Sequence, residues 1–260
     1  SGSSDDTMEF FGGKGGCTKI AIRRKLSAGP LVDLVYGYDL GSASERRLWK
    51  DYVKYRKPKV VIMGPPCTHF GSFSSINKRY QGFSKLLAKS TELANFAAEI
   101  AMIQLNTGRD FLCENPNGSK LWELPAWKRV LAHPRTCWVV HDQCMSGLRV
   151  PDIHNQGKPI LVRKATKFVA SRQCMIKLLD ERCSHNRKKD PHGVIEGNWK
   201  GKNISAYARE WPVNLCRKII TGVEKALEEQ RNERYQYPTA ATSPGKFVES
   251  DTEEVGPPPD

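Results

Sequence analysis

The stretch that decides the fold is Lys59-Val-Val-Ile-Met-Gly-Pro-Pro-Cys67. Its four consecutive large apolar residues, followed by glycine and proline, predict a short strand that is buried on both faces. The two prolines fix the backbone after this strand and hold the Cys67 thiol at its mouth. Lys78 and Arg79 follow a few residues later, and cationic neighbours favour the reactive thiolate. For Cys67 taken alone, the alternative is a structural cysteine in a turn.

Segments of strand and helix character alternate on both sides of this stretch. Strands are predicted at 31–36, 110–113 and 137–140, and residues 160–162 and 167–170 are expected to pair with each other. Helices are predicted at 44–55, 84–106, 124–132 and around 215–227. This alternation predicts an α/β fold with a mainly parallel sheet. Ligands of such sheets bind beyond the carboxyl ends of the strands, so the residues there are the candidate site.

The charge of the chain is strongly basic and unevenly distributed. The 260 residues contain 41 lysines and arginines against 28 aspartates and glutamates, a net charge of +13. Acidic residues are concentrated in 1–8 and 236–260, and the part between these tails carries about +19. Such a body favours a polyanion as partner, because each neutralised phosphate releases counterions; a merely basic surface is the alternative. We expect the two tails to be disordered and residues 9–235 to form one domain.

The cysteine content and the hydropathy pattern indicate where the protein resides. Eight cysteines are too sparse for a disulfide scaffold and lie mostly in apolar runs. The chain has no apolar run of membrane-spanning length and no secretory leader at its start. We therefore expect an intracellular, reducing location without membrane contact.

Three strand ends carry unusual chemistry: Phe11-Gly-Gly-Lys-Gly-Gly16, Gly64-Pro-Pro-Cys67 and Cys113-Glu-Asn-Pro116. A glycine-rich turn lets the backbone approach a ligand closely, although its spacing here fits neither the dinucleotide fingerprint nor a phosphate loop, and a plain turn is the alternative. A carboxyl group at Glu114 could act on a ring nitrogen while the Cys67 thiol acts on a ring carbon.

Together, these strings resemble the motifs of the cytosine-5 methyltransferase family over roughly residues 9–122. Glu9-Phe-Phe and the glycine turn resemble its first motif, Gly64-Pro-Pro-Cys67-Thr-His-Phe its nucleophile loop, and Glu114-Asn-Pro its Glu-Asn-Val motif, in the family's order. The resemblance implies a Rossmann-like S-adenosylmethionine-dependent methyltransferase sheet flanked by helices. It also implies methyl transfer to carbon 5 of a flipped cytosine through a covalent Cys67 adduct, with Glu114 binding the ring edge.

The resemblance further implies which residues contact S-adenosylmethionine. Asp33 and Asp39 would accept hydrogen bonds from its ribose and its adenine amine, although their interval is shorter than in the family and surface acids are the alternative. Asn203 and Ser205 look like a degenerate final Gly-Asn-Ser motif. The full predicted cofactor set is Phe11, Gly12, Gly13, Gly15, Gly16, Asp33, Asp39, Pro66, Asn203 and Ser205.

The arginine motif and the recognition domain of the family are both reduced in this chain. Arg163 is the candidate for the catalytic arginine role, with a solvated cation as the alternative. Only 39 residues separate Arg163 from Asn203, and residues 167–202 are predicted to form a small basic insertion in place of a full recognition domain. Its predicted phosphate contacts, or else plain solvated cations, are Arg187, Lys188, Lys189, Lys200 and Lys202.

Cysteine and histidine residues within the same insertion suggest one structural zinc ion. Thiolate and imidazole are the usual zinc ligands in structural sites. The predicted ligands are Cys174, Cys183, His185 and His192, although their spacing matches no standard finger and a metal-free loop is the alternative.

The sequence thus predicts a compact DNA cytosine-5 methyltransferase of the kind encoded by viruses or retroelements, nuclear if the host is a eukaryote. Two alternatives stay open: an RNA cytosine-5 methyltransferase of the same fold, and a non-catalytic nucleic-acid-binding module derived from it. The presence of Cys67, Glu114 and the complete glycine turn favours an enzyme, because a binding module needs none of them.

Overall fold

The computed structural model describes residues 4–71 and 82–236. Its strands are β1 (Thr7–Phe10), β2 (Ala28–Val32), β3 (Val60–Met63), β4 (Asp110–Pro116), β5 (Cys137–Asp142), β6 (Arg149–Pro151), β7 (Pro159–Val162), β8 (Ala165–Ala170), β9 (His192–Gly193), β10 (Asn198–Trp199) and β11 (Lys202–Asn203). Its α-helices are α1 (Gly16–Arg23), α2 (Ala43–Arg56), α3 (Phe83–Asn106), α4 (Pro125–Leu131), α5 (Gln173–Ile176), α6 (Ile204–Tyr207) and α7 (Val213–Gln236). Short 3-10 turns span Leu34–Tyr36, Lys120–Glu123, Gln143–Ser146 and Lys177–Leu179.

A six-stranded sheet in the order β2-β1-β3-β4-β8-β5 forms the centre of the domain. Strands β2, β1, β3 and β4 run parallel, and β8 is antiparallel to both of its neighbours, β4 and β5. The predicted α/β fold, a Rossmann-like sheet flanked by helices, is confirmed. The chain order reverses between β1 and β3, and this switch point is where open α/β sheets bind ligands.

Two hydrophobic cores lie on the two faces of the sheet, and β3 contributes to both. Val61 and Met63 pack on the side of α2, α3 and α4, whereas Val60 and Ile62 pack on the side of α1, α5 and α7. Successive side chains of a strand point to opposite faces, so a strand covered on both faces must be apolar throughout. The four apolar residues of β3 are therefore all needed at the centre of the sheet.

The strand pair expected between residues 160–162 and 167–170 does not form. Strand β7 instead pairs with β6 and β9 in a separate three-stranded sheet, and β8 inserts between β4 and β5. Phe168, Val169 and Ala170 are fully buried there. The first residues of the predicted insertion 167–202 thus belong to the central sheet, because their apolar side chains fit between two covered strands and not on a small lobe.

The ordered domain begins before residue 9. Strand β1 starts at Thr7, and the Asp6 carboxylate accepts hydrogen bonds from Ser27 N at 2.9 Å and Lys59 Nζ at 2.7 Å. These bonds hold the end of the segment that the sequence predicted to be a tail. At the other end, α7 reaches Gln236, and residues 237–260 of the predicted acidic tail lie outside the described residues. Among the helices of the described ranges, none has both the length and the apolar character to cross a membrane.

Candidate active site

The glycine turn after β1 brings bare backbone to the switch point. Phe11, Gly13 and Gly15 all have positive φ angles, of 58°, 53° and 68°. A Cβ atom on Gly12 would lie 2.6 Å from the Glu9 carboxyl carbon, so only glycine fits there, whereas one on Gly13 would meet nothing within 4 Å. The turn is therefore tight against the protein on one side and open on the other, as a ligand cradle requires.

Glu9, in β1, joins the glycine turn to the start of α1. Its carboxylate is buried and accepts hydrogen bonds from Thr18 N at 2.9 Å and Thr18 Oγ1 at 2.6 Å, in the first turn of α1. Burial raises the pKa of the Glu9 carboxyl, and the two bonds from Thr18 oppose that rise. The acid of the first motif thus anchors the helix start.

Asp33 lies beside the glycine turn, and Asp39 lies farther along the same loop. Asp33 Oδ2 accepts from Gly13 N at 2.9 Å, and its Oδ1 accepts from Val35 N at 3.0 Å. Asp39 is exposed and accepts from Gly41 N at 2.9 Å. Each carboxylate oxygen can accept more than one hydrogen bond, so Asp33 has capacity for a ligand hydroxyl next to the turn.

The Pro-Pro-Cys loop after β3 is tied to the end of β4. Asn115 is fully buried, and its Nδ2 donates to Pro65 O at 2.8 Å. Cys67 is half-buried, and the neighbouring Pro66 is exposed. Asn115 of the Glu-Asn-Pro motif thus fixes the Pro-Pro-Cys loop against the strand that carries Glu114.

Cys67, Glu114 and Lys164 form one electrostatic cluster. Lys164 Nζ lies 3.7 Å from Glu114 Oε1, and both side chains are largely buried. Burial raises the pKa of the Cys67 thiol; the Lys164 charge opposes this rise and the Glu114 charge adds to it. Glu114 Oε1 is buried without a hydrogen-bond partner within the described part of the chain. The cluster therefore brings together a thiol, a cation and a carboxylate oxygen that has no hydrogen-bond partner among the described residues.

The cation that reaches Glu114 is Lys164 and not its neighbour. Arg163 Nε lies 3.1 Å from Asp142 Oδ2, and its side chain is 43% exposed. The two residues form the whole link between β7 and β8, and consecutive side chains in extended chain point in opposite directions. Nothing in the sequence indicated a role for Lys164, although it directly follows Arg163. Lys78 and Arg79 lie outside the described residues.

The segment after α6 also approaches the site. Lys164 Nζ donates to Ala208 O at 3.3 Å, and Lys14 of the glycine turn pairs with Glu210 at 2.7 Å. A Cβ on Gly64 would lie 3.2 Å from the Trp211 ring. The predicted Asn203 and Ser205 lie one helical turn earlier and are exposed, flanking the buried Ile204. Residues 208–211, which carried no sequence signal, are the ones placed beside the glycine turn.

The predicted zinc ligands are brought together except for one. Cys183, His185 and His192 cluster with Cys144, and Cys174 does not join them. Cys174 lies in α5, which packs against α7, and burial, with the nearby Glu229 carboxylate, raises the pKa of its thiol to about 12. The spacing could not reveal Cys144, because it lies 39 residues before Cys183 and joins the cluster only through folding. The five basic residues predicted to track phosphate are all exposed: Arg187, Lys188, Lys189, Lys200 and Lys202.

Comparisons with known proteins add little to this geometry. No protein-family model matches the chain, and no curated protein matches it either. Among solved structures, the crystal structure of S. pombe Dnmt2 methyltransferase is similar to it, with 12% sequence identity and a TM-score of 0.37, over 69% of this chain and 51% of that one. The chain thus spans about half the length of that structure. A likeness of this size carries no functional argument, so the function depends on the side chains at the strand ends.

Proposed function

We propose that this protein is a cytosine-5 methyltransferase that acts on DNA and uses S-adenosylmethionine. The observation that carries the proposal is the convergence of Cys67 and Glu114 on adjacent strand ends beside an open glycine turn. Asn115 ties the two strand ends together, and Lys164 supplies a cation to both reactive groups. A purely structural cysteine would need neither a buried carboxylate oxygen without a hydrogen-bond partner in the described ranges nor the cation beside it.

The residues present fit S-adenosylmethionine at the switch point. The open side of Gly13, the Asp33 carboxylate and the exposed face of Pro66 would hold it, as the resemblance implies. When bound, it supplies an electrophilic methyl group on a sulfonium centre. Three further residues that the resemblance implies lie farther from Cys67, and no described bond joins them to Cys67, Glu114 or Lys164. We keep them in the proposal as outer residues of the site: Arg163, Asn203 and Ser205.

The chain's own residues account for activation of the base. Cys67 Sγ, as the thiolate, attacks carbon 6 of cytosine, which forms an S–C bond and moves the ring double-bond electrons toward carbon 5. Glu114 binds the ring edge: it gives a proton to nitrogen 3 as the S–C bond forms and accepts a hydrogen bond from the amino group, so the negative charge moves from the ring to its carboxylate. Lys164 favours the thiolate and neutralises Glu114. Once carbon 5 carries the methyl group, water takes up its proton; the electrons of that C–H bond restore the ring double bond, the S–C bond breaks, and Cys67 leaves as the thiolate.

DNA is proposed as the substrate because of the motifs' resemblance to those of DNA cytosine-5 methyltransferases, and RNA is the alternative within the same chemistry; the strongly basic body fits the phosphates of either. A duplex must release the target base before Cys67 can reach it, because carbon 6 is not accessible within the base stack. The exposed lysines and arginines of residues 187–202 would hold the phosphate backbone while the base leaves the stack.

The test is covalent trapping with 5-fluorocytosine in matched DNA and RNA oligonucleotides, with S-adenosylmethionine present. Fluorine cannot leave carbon 5 as a proton does, so the adduct persists and is seen as a shifted band on a denaturing gel. We expect an adduct with DNA that Cys67→Ser abolishes. The matched control is Cys137→Ser, a half-buried cysteine at the opposite end of the sheet.

Each outcome of this experiment assigns one of the three functions. If only the RNA oligonucleotide formed an adduct, the substrate would be RNA and not DNA. Binding of either oligonucleotide without any adduct, with Cys67→Ser indistinguishable from the wild type, would identify a non-catalytic binding module instead.

A further inference from the structure

We propose that Cys144, Cys183, His185 and His192 bind one structural zinc ion that joins the end of the central sheet to the basic insertion. The four ligand atoms all lie within 4.8 Å of one another. This set exchanges the Cys174 expected from the sequence for a cysteine on the 3-10 turn after β5. The inference is independent of the proposed methyl transfer.

The distances around Cys183 fit a tetrahedral zinc site. Cys183 Sγ lies 3.5 Å from His185 Nδ1 and 3.6 Å from His192 Nε2. With zinc–sulfur bonds of about 2.3 Å and zinc–nitrogen bonds of about 2.0 Å, tetrahedral angles give a sulfur–nitrogen distance of about 3.5 Å. The side chains are thus already spaced for a common ion between them.

The far side of His192 has the hydrogen bond typical of a zinc-bound imidazole. His192 Nδ1 lies 2.9 Å from Asp190 O, and donation of its N–H to this carbonyl leaves the Nε2 lone pair directed at the cluster. Metal-bound histidines usually donate their other ring N–H to such an acceptor, which fixes the tautomer. The backbone of Cys183 is also held, since Cys183 N donates to Asp142 Oδ2 at 2.8 Å.

The site has the ligand number of a structural metal centre. Four protein ligands complete the tetrahedron and leave no position for a substrate. Cys144 is buried on the turn after β5, whereas the other three ligands are half-buried and come from the insertion. In the same turn, Gln143 N donates to Lys164 O at 3.0 Å. Zinc would therefore hold the insertion to the sheet next to the backbone that carries Lys164.

The experiment measures zinc in the full chain, purified under reducing conditions and desalted, by inductively coupled plasma mass spectrometry. We expect about one equivalent in the wild type and less than about 0.2 equivalents in Cys144→Ser and His192→Ala. The matched control is Cys174→Ser, which should keep the full equivalent because Cys174 lies against α7. Loss of zinc from Cys174→Ser, with retention in Cys144→Ser, would overturn the ligand set.

A second measurement does not depend on the variants folding. Wild-type protein stripped with a chelator is titrated with Co²⁺, and tetrahedral thiolate coordination is expected to give intense visible d–d bands with thiolate charge-transfer absorption. Hydrogen exchange at residues 143–147 and 182–193 should quicken on stripping and recover with zinc. Less than about half an equivalent of zinc together with no such cobalt spectrum, or a disulfide between Cys144 and Cys183 in the purified protein, would refute the site.

Discussion

Replacement of Asp110 is expected to destabilise the domain more than any surface change of equal size. The carboxylate is fully buried at the start of β4 and accepts four hydrogen bonds. Its Oδ1 accepts from Arg135 Nη2 at 2.8 Å and Ser171 Oγ at 2.7 Å, and its Oδ2 accepts from Arg172 Nε at 2.7 Å and from Gln230 Nε2. One side chain thus links β4, the segment before β5, the end of β8 and α7.

The magnitude follows from what the arginines lose. Removing one partner of a buried ion pair costs about 3–5 kcal/mol, because it leaves the other charge uncompensated. Arg135 is 32% exposed and can recover some hydration, whereas Arg172 is 12% exposed and also pairs with Glu233. We therefore expect Asp110→Ala to lower the free energy of unfolding by about 3 kcal/mol. In a domain of this size, that corresponds to a Tm lower by about 6–12 °C.

Thermal and urea unfolding followed by circular dichroism measure this effect. Asp110→Asn keeps the shape of the side chain, but its amide group donates where the carboxylate oxygen accepted from two donors. We expect its free energy of unfolding to be lower by about 2–3 kcal/mol. The control is Asp51→Ala, whose exposed pair with Lys54 at 3.6 Å should be worth less than about 0.5 kcal/mol. If Asp110→Asn lowered the free energy of unfolding by less than about 1 kcal/mol, the view that this buried network stabilises the contacts among β4, β8 and α7 would be refuted.

Two further predictions concern titration. Alkylation of Cys67 by iodoacetamide should reach half its maximal rate at a lower pH in Glu114→Gln and at a higher pH in Lys164→Gln, because the first removes a charge that raises the thiol pKa and the second a charge that lowers it. The second prediction concerns Glu9, whose pKa burial raises above 4.5. The folded wild type therefore loses stability as pH rises through that pKa, whereas Glu9→Gln has no group there to titrate. The Tm of Glu9→Gln relative to that of the wild type should be higher at pH 8 than at pH 4.

Each of these two predictions is checked by the direction of the measured change. Shifts of the same sign in Glu114→Gln and Lys164→Gln would show that the substitutions disturb the Pro-Pro-Cys loop and not its electrostatics. A Tm difference for Glu9→Gln that does not change with pH would show that the carboxyl group carries no raised pKa in the folded protein.

The sequence predicted the elements that depend on local pattern. The four apolar residues of β3 required a strand covered on both faces, and the apolar spacing of α3 predicted its bounds to within one residue. The three strand-end strings could also be found by reading, because the glycines, prolines and the Cys67 and Glu114 side chains are consecutive or nearly so. Local backbone constraint and side-chain chemistry are visible in one dimension.

Only the tertiary structure decided which distant side chains meet. Residues 167–170 pair with β4 and β5 because the central sheet buries their apolar side chains, and no spacing rule distinguishes that partner from β7. Lys164 faces Glu114 while Arg163 faces Asp142, because the two-residue link between β7 and β8 sends adjacent side chains apart. Cys144 replaces Cys174 at the proposed zinc site because folding brings the turn after β5 beside the insertion. The sequence determined the chemistry available, and chain packing determined which groups can act together.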